Sequence, residues 1–190
     1  GYQLCSDLRT VSNTQYIVKR AWKRMWVVRR LKSLGAGERE LLSVLRAQVL
    51  SVLQFASPAW STQITSQENR QIEAVLKTGL YLVYGARYES FSWALAEANM
   101  SSLMKQRSTQ FKRFTLSCMK NPKFSKWFVK YEDDTTVNTR QKKPRFNPIP
   151  FRTKAYGQSA IPQMIKVANT MHASNPKTKV TLNSGEVIVV

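Results

Sequence analysis

The chain has 190 residues, with 30 Lys and Arg against 11 Asp and Glu, for a formal charge of +19 and a pI near 10.3. Its hydrophobic content of 43% excludes a disordered polyelectrolyte and fits one or two folded domains. The charge asks for a polyanion partner, nucleic acid first and an anionic membrane second. Cys5 and Cys118 make no disulfide framework and point to a reducing, intracellular setting. The lone His172 has no cysteine near it, so no zinc spacing exists. No apolar run reaches the ~20 residues of a membrane span, and the N-terminus does not read as a signal peptide.

In chain order, helical periodicity dominates to about residue 130, and the fold class is mostly α. The first helix follows a cap at Ser12 or Asn13 and closes at Gly35 and Gly37. Ile17, Ala21, Met25, Val28 and Leu31 form its core stripe. Lys19, Arg20, Lys23 and Arg30 gather away from that stripe, and Trp22 and Trp26 lie at the boundary. The second helix runs from Glu40 to Trp60, with Leu41, Leu42, Leu45, Val49, Val52 and Leu53 apolar and Pro58 marking its end. With few charges after Arg46, it is expected to be the most buried element. The third starts near Ser66 and buries Ile72, Val75, Leu76, Leu80 and Val83 before Gly85 stops it. A short helix covers Phe91–Ala98. A longer one covers Ser102–Met119, with Leu103, Phe111, Phe114 and Leu116 apolar, and Asn121-Pro122 breaks it. One or two more turns fit Lys123–Val129. Thr135–Pro150 is polar and reads as a linker or a basic arm. Ala160–Ala168 predicts a short helix with Pro162 in its first turn. The alternating end, with Asn183-Ser184-Gly185 at its turn, allows a terminal hairpin.

Three basic sets are candidate phosphate contacts. The first is Lys19, Arg20, Lys23 and Arg30, on a helix without Asp or Glu. The second is Lys105, Arg107, Lys112, Arg113 and Lys120. Within it, Arg107 has two readings, a pair with Glu97 or a phosphate contact. The third, Lys142, Lys143 and Arg145, reads as a nucleic-acid arm, a nuclear-import-like cluster or a plain polar linker. Trp22 and Trp26 are either base-stacking platforms or core residues. Trp60, in Ser-Pro-Ala-Trp, is expected to fill the joint between second and third helices, with Trp93 and Trp127 as packing residues.

The order of these landmarks resembles one family. YIVKRAWKRMWVVRRLKSLG (Tyr16–Gly35), ELLSVLRAQVLSVLQFASPAW (Glu40–Trp60), RQIEAVLKTGLYLVYG (Arg70–Gly85) and YESFSWALAEANMSSLMKQR (Tyr88–Arg107) resemble the region after the palm in reverse transcriptases of non-LTR (LINE-type, jockey-like) retrotransposons. PFRTKAYGQSAIPQMIKVAN (Pro150–Asn169) is similar to the R-T-x-x-Y-x-x-S-x-I-P tail of such reading frames. The resemblance implies a division into a palm-edge strand remnant at 1–12, a thumb-like helical domain at 13–130 and a polar basic linker at 131–150. A tail with a short helix and a hairpin follows at 151–190. About five helices are expected in the cluster. The implied role is non-catalytic: gripping the RNA template and DNA primer without sequence preference, beside the palm of the parent polymerase. That palm, with its Mg²⁺, is expected upstream of residue 1, and no cofactor is expected in this piece.

Tyr131-Glu132-Asp133-Asp134 matches the letters of the family's metal-binding Tyr-x-Asp-Asp hairpin. Its setting does not match. Lys130 and Thr135-Thr136 replace the apolar flanking strands, and the one other aspartate is Asp7. A solvated acidic turn is expected there. Competing functions are a polymerase or nuclease using Asp133 and Asp134, a basic amphipathic module on anionic membranes, and a mobile-element relic without a selected role.

Overall fold

The computed structural model describes residues 11–130, 145–174, 179–181 and 187–189. The chain is mostly helical, as the periodicity requires. It forms two compact units, Gly1–Ser108 and Thr109–Val190.

The first unit begins with α1 (Val11–Ser33), which has no acidic residue. Ser12 and Asn13, expected as caps, lie inside this helix as its second and third described residues. The predicted strand remnant at 1–12 otherwise falls outside the described residues. The C-terminus of α1 matches its reading: Gly35 adopts φ +84°, Gly35 N–H donates to the Lys32 carbonyl and Ala36 N–H to that of Leu31. That pair of bonds ends a helix on a left-handed glycine and satisfies two of its last carbonyls. Ile17, Ala21, Met25 and Val28 are buried and Leu31 half-buried, so the predicted stripe is the packed one.

The next helical stretch comprises α2 (Glu38–Val44), a π-helical segment (Leu45–Leu50) and α3 (Ser51–Gln54). The wider π turn changes the register of the helix. It leaves Leu45, Val49, Leu50, Val52 and Leu53 all buried. Pro58 does not end this stretch. Phe55 turns extended at ψ 128° and Ala56 takes φ 49°, so the helix stops at Gln54 and Pro58 opens a separate turn, α4 (Ser57–Trp60). Proline fits the first turn because it needs no amide partner there. By length and composition Glu38–Trp60 would pass for a membrane span. Its unbroken part, Glu38–Gln54, falls short of ~20 residues, and its apolar side is core against α1 and α5. There is no clear transmembrane segment among the described residues.

Helix α5 (Ser66–Tyr84) starts where expected and is capped by Thr65. The Thr65 hydroxyl accepts from Glu68 N–H at 3.2 Å, and the Glu68 carboxylate accepts from Thr65 N–H at 2.7 Å. The expected face of Ile72, Val75, Leu76, Leu80 and Val83 is buried, and Gly85 terminates the helix at φ 56°. A 3₁₀ turn (Gly85–Arg87) leads to α6 (Phe91–Glu97), and α7 (Leu103–Lys120) follows.

The division between the two compact units falls inside α7. The reason is a second core. Phe111, Cys118 and Met119 of α7 pack with Phe128, Phe146, Met164, Ile165 and Ala168. Phe114, one of the apolar residues of this helix, is 41% exposed. Phe146, placed by its neighbours in a polar linker, is fully buried and bridges Lys130. Within this unit, α8 (Pro122–Ser125) is capped by Asn121 and α9 (Lys154–Gly157) by Thr153; α10 (Ala160–Ser174) outlasts the predicted Ala160–Ala168. Asn169 holds Phe146 in place: its side chain accepts from Phe146 N–H at 2.9 Å and donates to the Phe146 carbonyl at 3.0 Å. At the C-terminus β1 (Lys179–Thr181) pairs antiparallel with β2 (Val187–Val189), in the register Val180 opposite Ile188. The hairpin's turn lies outside the described residues.

Candidate nucleic-acid interface

Helix α1 sorts its residues into a buried stripe and a charged one. Lys19, Lys23 and Arg30 are exposed, and their side chains make no ion pair or hydrogen bond among the described residues. Steps of four, three and four residues from Lys19 reach Lys23, Trp26 and Arg30, so all four share one face. At 1.5 Å per residue the stripe is about 16 Å long. Trp26 is 64% exposed, so it belongs to this face and not to the core. That spacing is visible in the sequence and would have placed it. Arg20 is exposed too, but one residue past Lys19 it is rotated by about 100°, and it donates to the Tyr16 hydroxyl at 3.3 Å. Arg29, absent from the sequence-based set, is exposed as well.

Other cations of this unit hold the fold together. Arg24 donates to the Gln48 carbonyl of the π segment at 3.0 Å, and Lys32 to the Leu82 carbonyl. Arg46 donates to the Ala98 carbonyl at 2.5 Å. Arg87 pairs with Glu38 at 2.7 Å and Glu97 at 3.5 Å and lies over the Trp93 ring.

Arg107 departs from both of its expected roles. It is 2% exposed, with its guanidinium 5.9 Å from the centre of the Trp60 ring and bonded to Asn69 Oδ1. Glu97 is engaged by Arg87 instead. Burial lowers the Arg107 pKa, and the Glu73 carboxylate opposes this from beyond ion-pair contact. Glu73 itself accepts from the Met104 amide at 2.6 Å, at the start of α7. Arg107 therefore docks α7 on α5 and is turned away from any phosphate. Trp60 meets expectation: it is fully buried, and its indole N–H donates to the Phe55 carbonyl at 2.9 Å.

Of the remaining candidates, Lys105 is exposed in the first unit, and Lys112, Arg113 and Lys120 are exposed in the second. Arg145 is half-buried. Lys142 and Lys143 lie outside the described residues, as do Asp133 and Asp134.

Beside the stripe, α1 and α5 enclose an open groove of about 730 Å³. Helix α1 contributes Gln15, Val18, Lys19, Trp22 and Lys23; α5 contributes Gln71 and Ala74. No acidic residue lines it among the described residues. Trp22 is half-buried, one part of it packed on the core and another facing the groove.

No family model matches the chain, and neither the curated proteins nor the solved structures contain a significant match. The stripe and its groove must therefore be interpreted by their own chemistry.

That chemistry is electrostatic and hydrophobic. No group of three His, Cys, Asp or Glu side chains that could hold a metal occurs among the described residues. The one described cysteine, Cys118, is buried, which pushes its thiol pKa up and away from nucleophilic use. The surface of α1 can attract phosphate at several points in a row and offers two indoles beside them.

Proposed function

We propose that this chain is a non-catalytic nucleic-acid-binding piece of an RNA-directed DNA polymerase, the thumb and post-thumb region of a non-LTR reverse transcriptase. It would grip RNA and DNA without sequence preference and leave nucleotide transfer, with its Mg²⁺, to the palm of the parent enzyme. The observation that carries this reading is the cationic stripe of Lys19, Lys23 and Arg30, unpaired among the described residues, on a helix with no acidic residue. A solvated helix face would ordinarily intersperse acidic partners at four-residue spacing. The order of sequence landmarks supplies the family, and the net charge of +19 supplies the long-range attraction.

The test is the salt dependence of binding to an RNA–DNA hybrid and to a single strand. Counterion release gives a slope of about 0.9 per duplex phosphate neutralised and about 0.7 per single-strand phosphate. Changing Lys19, Lys23 and Arg30 together to Gln should lower the slope's magnitude by roughly 2–3 units. The weakening should be equal across unrelated sequences, because phosphate contacts carry no base information. An unchanged slope in a variant of wild-type helicity refutes the stripe as the binding face. The exposed Trp26 beside cations also suits an anionic membrane surface. Flotation on anionic vesicles that nucleic acid does not compete away would favour that alternative.

A further inference from the structure

The groove between α1 and α5 joins three features that one phosphate-binding stripe does not need. It is lined by the Trp22 side chain, by the small apolar residues Val18 and Ala74, and by the charged Lys19 and Lys23. A stacked duplex hides its base faces, so it can offer the lysines phosphates but nothing to the indole. An unpaired base offers a flat apolar face to the indole and is linked to phosphates on both sides. Aromatic walls beside a cationic rim are the general means of holding single strands, because every base has a face to stack.

We propose that this groove takes one unpaired base of a single-stranded nucleic acid, stacked against Trp22, with Lys19 and Lys23 on the adjacent phosphates. The proposal rests on the nucleic-acid reading above and goes beyond it by naming the occupant. Gln15 and Gln71 at the groove present amides that can bond to the edge of any base, which keeps the site tolerant of sequence. Among the described residues the groove has no carboxylate to repel the flanking phosphates. Trp26, one turn further along α1, gives the strand a second indole, an exposed one, on its way out.

The experiment compares a thymine homopolymer strand with an abasic strand of the same length and charge, on the full chain at low salt. Wild type should bind the base-bearing strand about tenfold or more tightly than the abasic one, the stacking contribution expected for one or two bases. Trp22→Leu keeps apolar packing on the core but removes the ring. Trp22→Phe keeps a smaller ring. The preference should collapse in the Leu variant and largely survive in the Phe variant, with helicity by circular dichroism unchanged in both. Equal wild-type affinity for the two strands overturns the groove proposal while leaving phosphate binding intact. A preference that persists in Trp22→Leu overturns it by placing the base elsewhere. Binding to neither strand overturns the underlying reading together with this one. Anionic phosphatidylserine vesicles in place of the strand complete the set: Trp22-dependent vesicle binding without strand binding would show a lipid occupant and overturn the proposal.

Discussion

Gly79 sits in the middle of α5, where a glycine ordinarily weakens a helix. Replacing it by Ala should gain about 1 kcal/mol from helix propensity alone. The packing reverses that sign. A Cβ on residue 79 would lie 2.6 Å from Leu45 Cδ1, 3.1 Å from Cδ2 and 3.4 Å from Cγ. Favourable carbon contacts begin near 3.5 Å. Leu45 opens the π segment and is fully buried, so it has no solvent to retreat into. Overpacking of this kind costs about 1–3 kcal/mol. Gly79→Ala should therefore destabilise the chain by up to ~2 kcal/mol. Leu45→Ala should by itself cost about 2–5 kcal/mol through its cavity. In that background the added methyl meets no clash and fills part of the hole. Gly79→Ala should then stabilise, and the coupling between the two sites should exceed ~1 kcal/mol. Urea unfolding followed by far-ultraviolet circular dichroism measures all four variants. A gain of about 1 kcal/mol for Gly79→Ala in both backgrounds would refute the close approach of α5 to the π segment.

Two further outcomes are expected besides the salt-slope and abasic-strand tests. Arg107→Met keeps an unbranched stem against Trp60 and should leave the salt slope of nucleic-acid binding at its wild-type value; a fall of about one unit would show that Arg107 reaches phosphate after all. Thr65→Ala removes the hydroxyl half of the capping box and should cost about 0.5–2 kcal/mol in the same unfolding assay, and no measurable loss would mean that Glu68 alone suffices at that end of α5.

Where the pattern is local, the sequence was informative. The core stripes of α1 and α5 depend on a 3.6-residue period, and every residue placed on the α5 face is buried. Gly35 and Gly85 work as stops because they take up a positive φ that other residues resist. The failures share a different origin. Pro58 looks like a stop and acts as a start, because the break is made upstream by Phe55 and Ala56, neither of which carries a strong turn signal. Arg107 looks like a surface cation, and its burial depends on Trp60 and Asn69, which are far from it in sequence. Phe146 follows a run of basic residues that disguises it, and Asn169 anchors it from 23 residues away. The π segment left no mark in the periodicity, since one inserted residue shifts the register without changing residue type. Trp26 was left between a core and a stacking role because large apolar residues are often buried, although its spacing from Lys23 and Arg30 put it on the charged face.

The division of labour among cations is what makes the α1 surface informative. Arg24, Lys32, Arg46 and Arg107 meet carbonyl, amide or aromatic partners in the first unit, and Arg87 meets two carboxylates. Their charge is accounted for by the fold. Lys19 and Lys23 stand one helical turn apart, a like-charge spacing that costs a few tenths of a kcal/mol. No described residue of the first unit pairs with either of them. Core packing does not require lysine there, because the buried stripe of α1 lies on the other side of the helix. A solvated face would be satisfied equally by glutamate or glutamine, and α1 has no acidic residue among its 23. The exposed indole of Trp26 within the same row adds an apolar cost that solvation does not explain either. A polyanion with flat apolar faces relieves the repulsion and covers the indole together, and a nucleic-acid strand has both properties in one molecule.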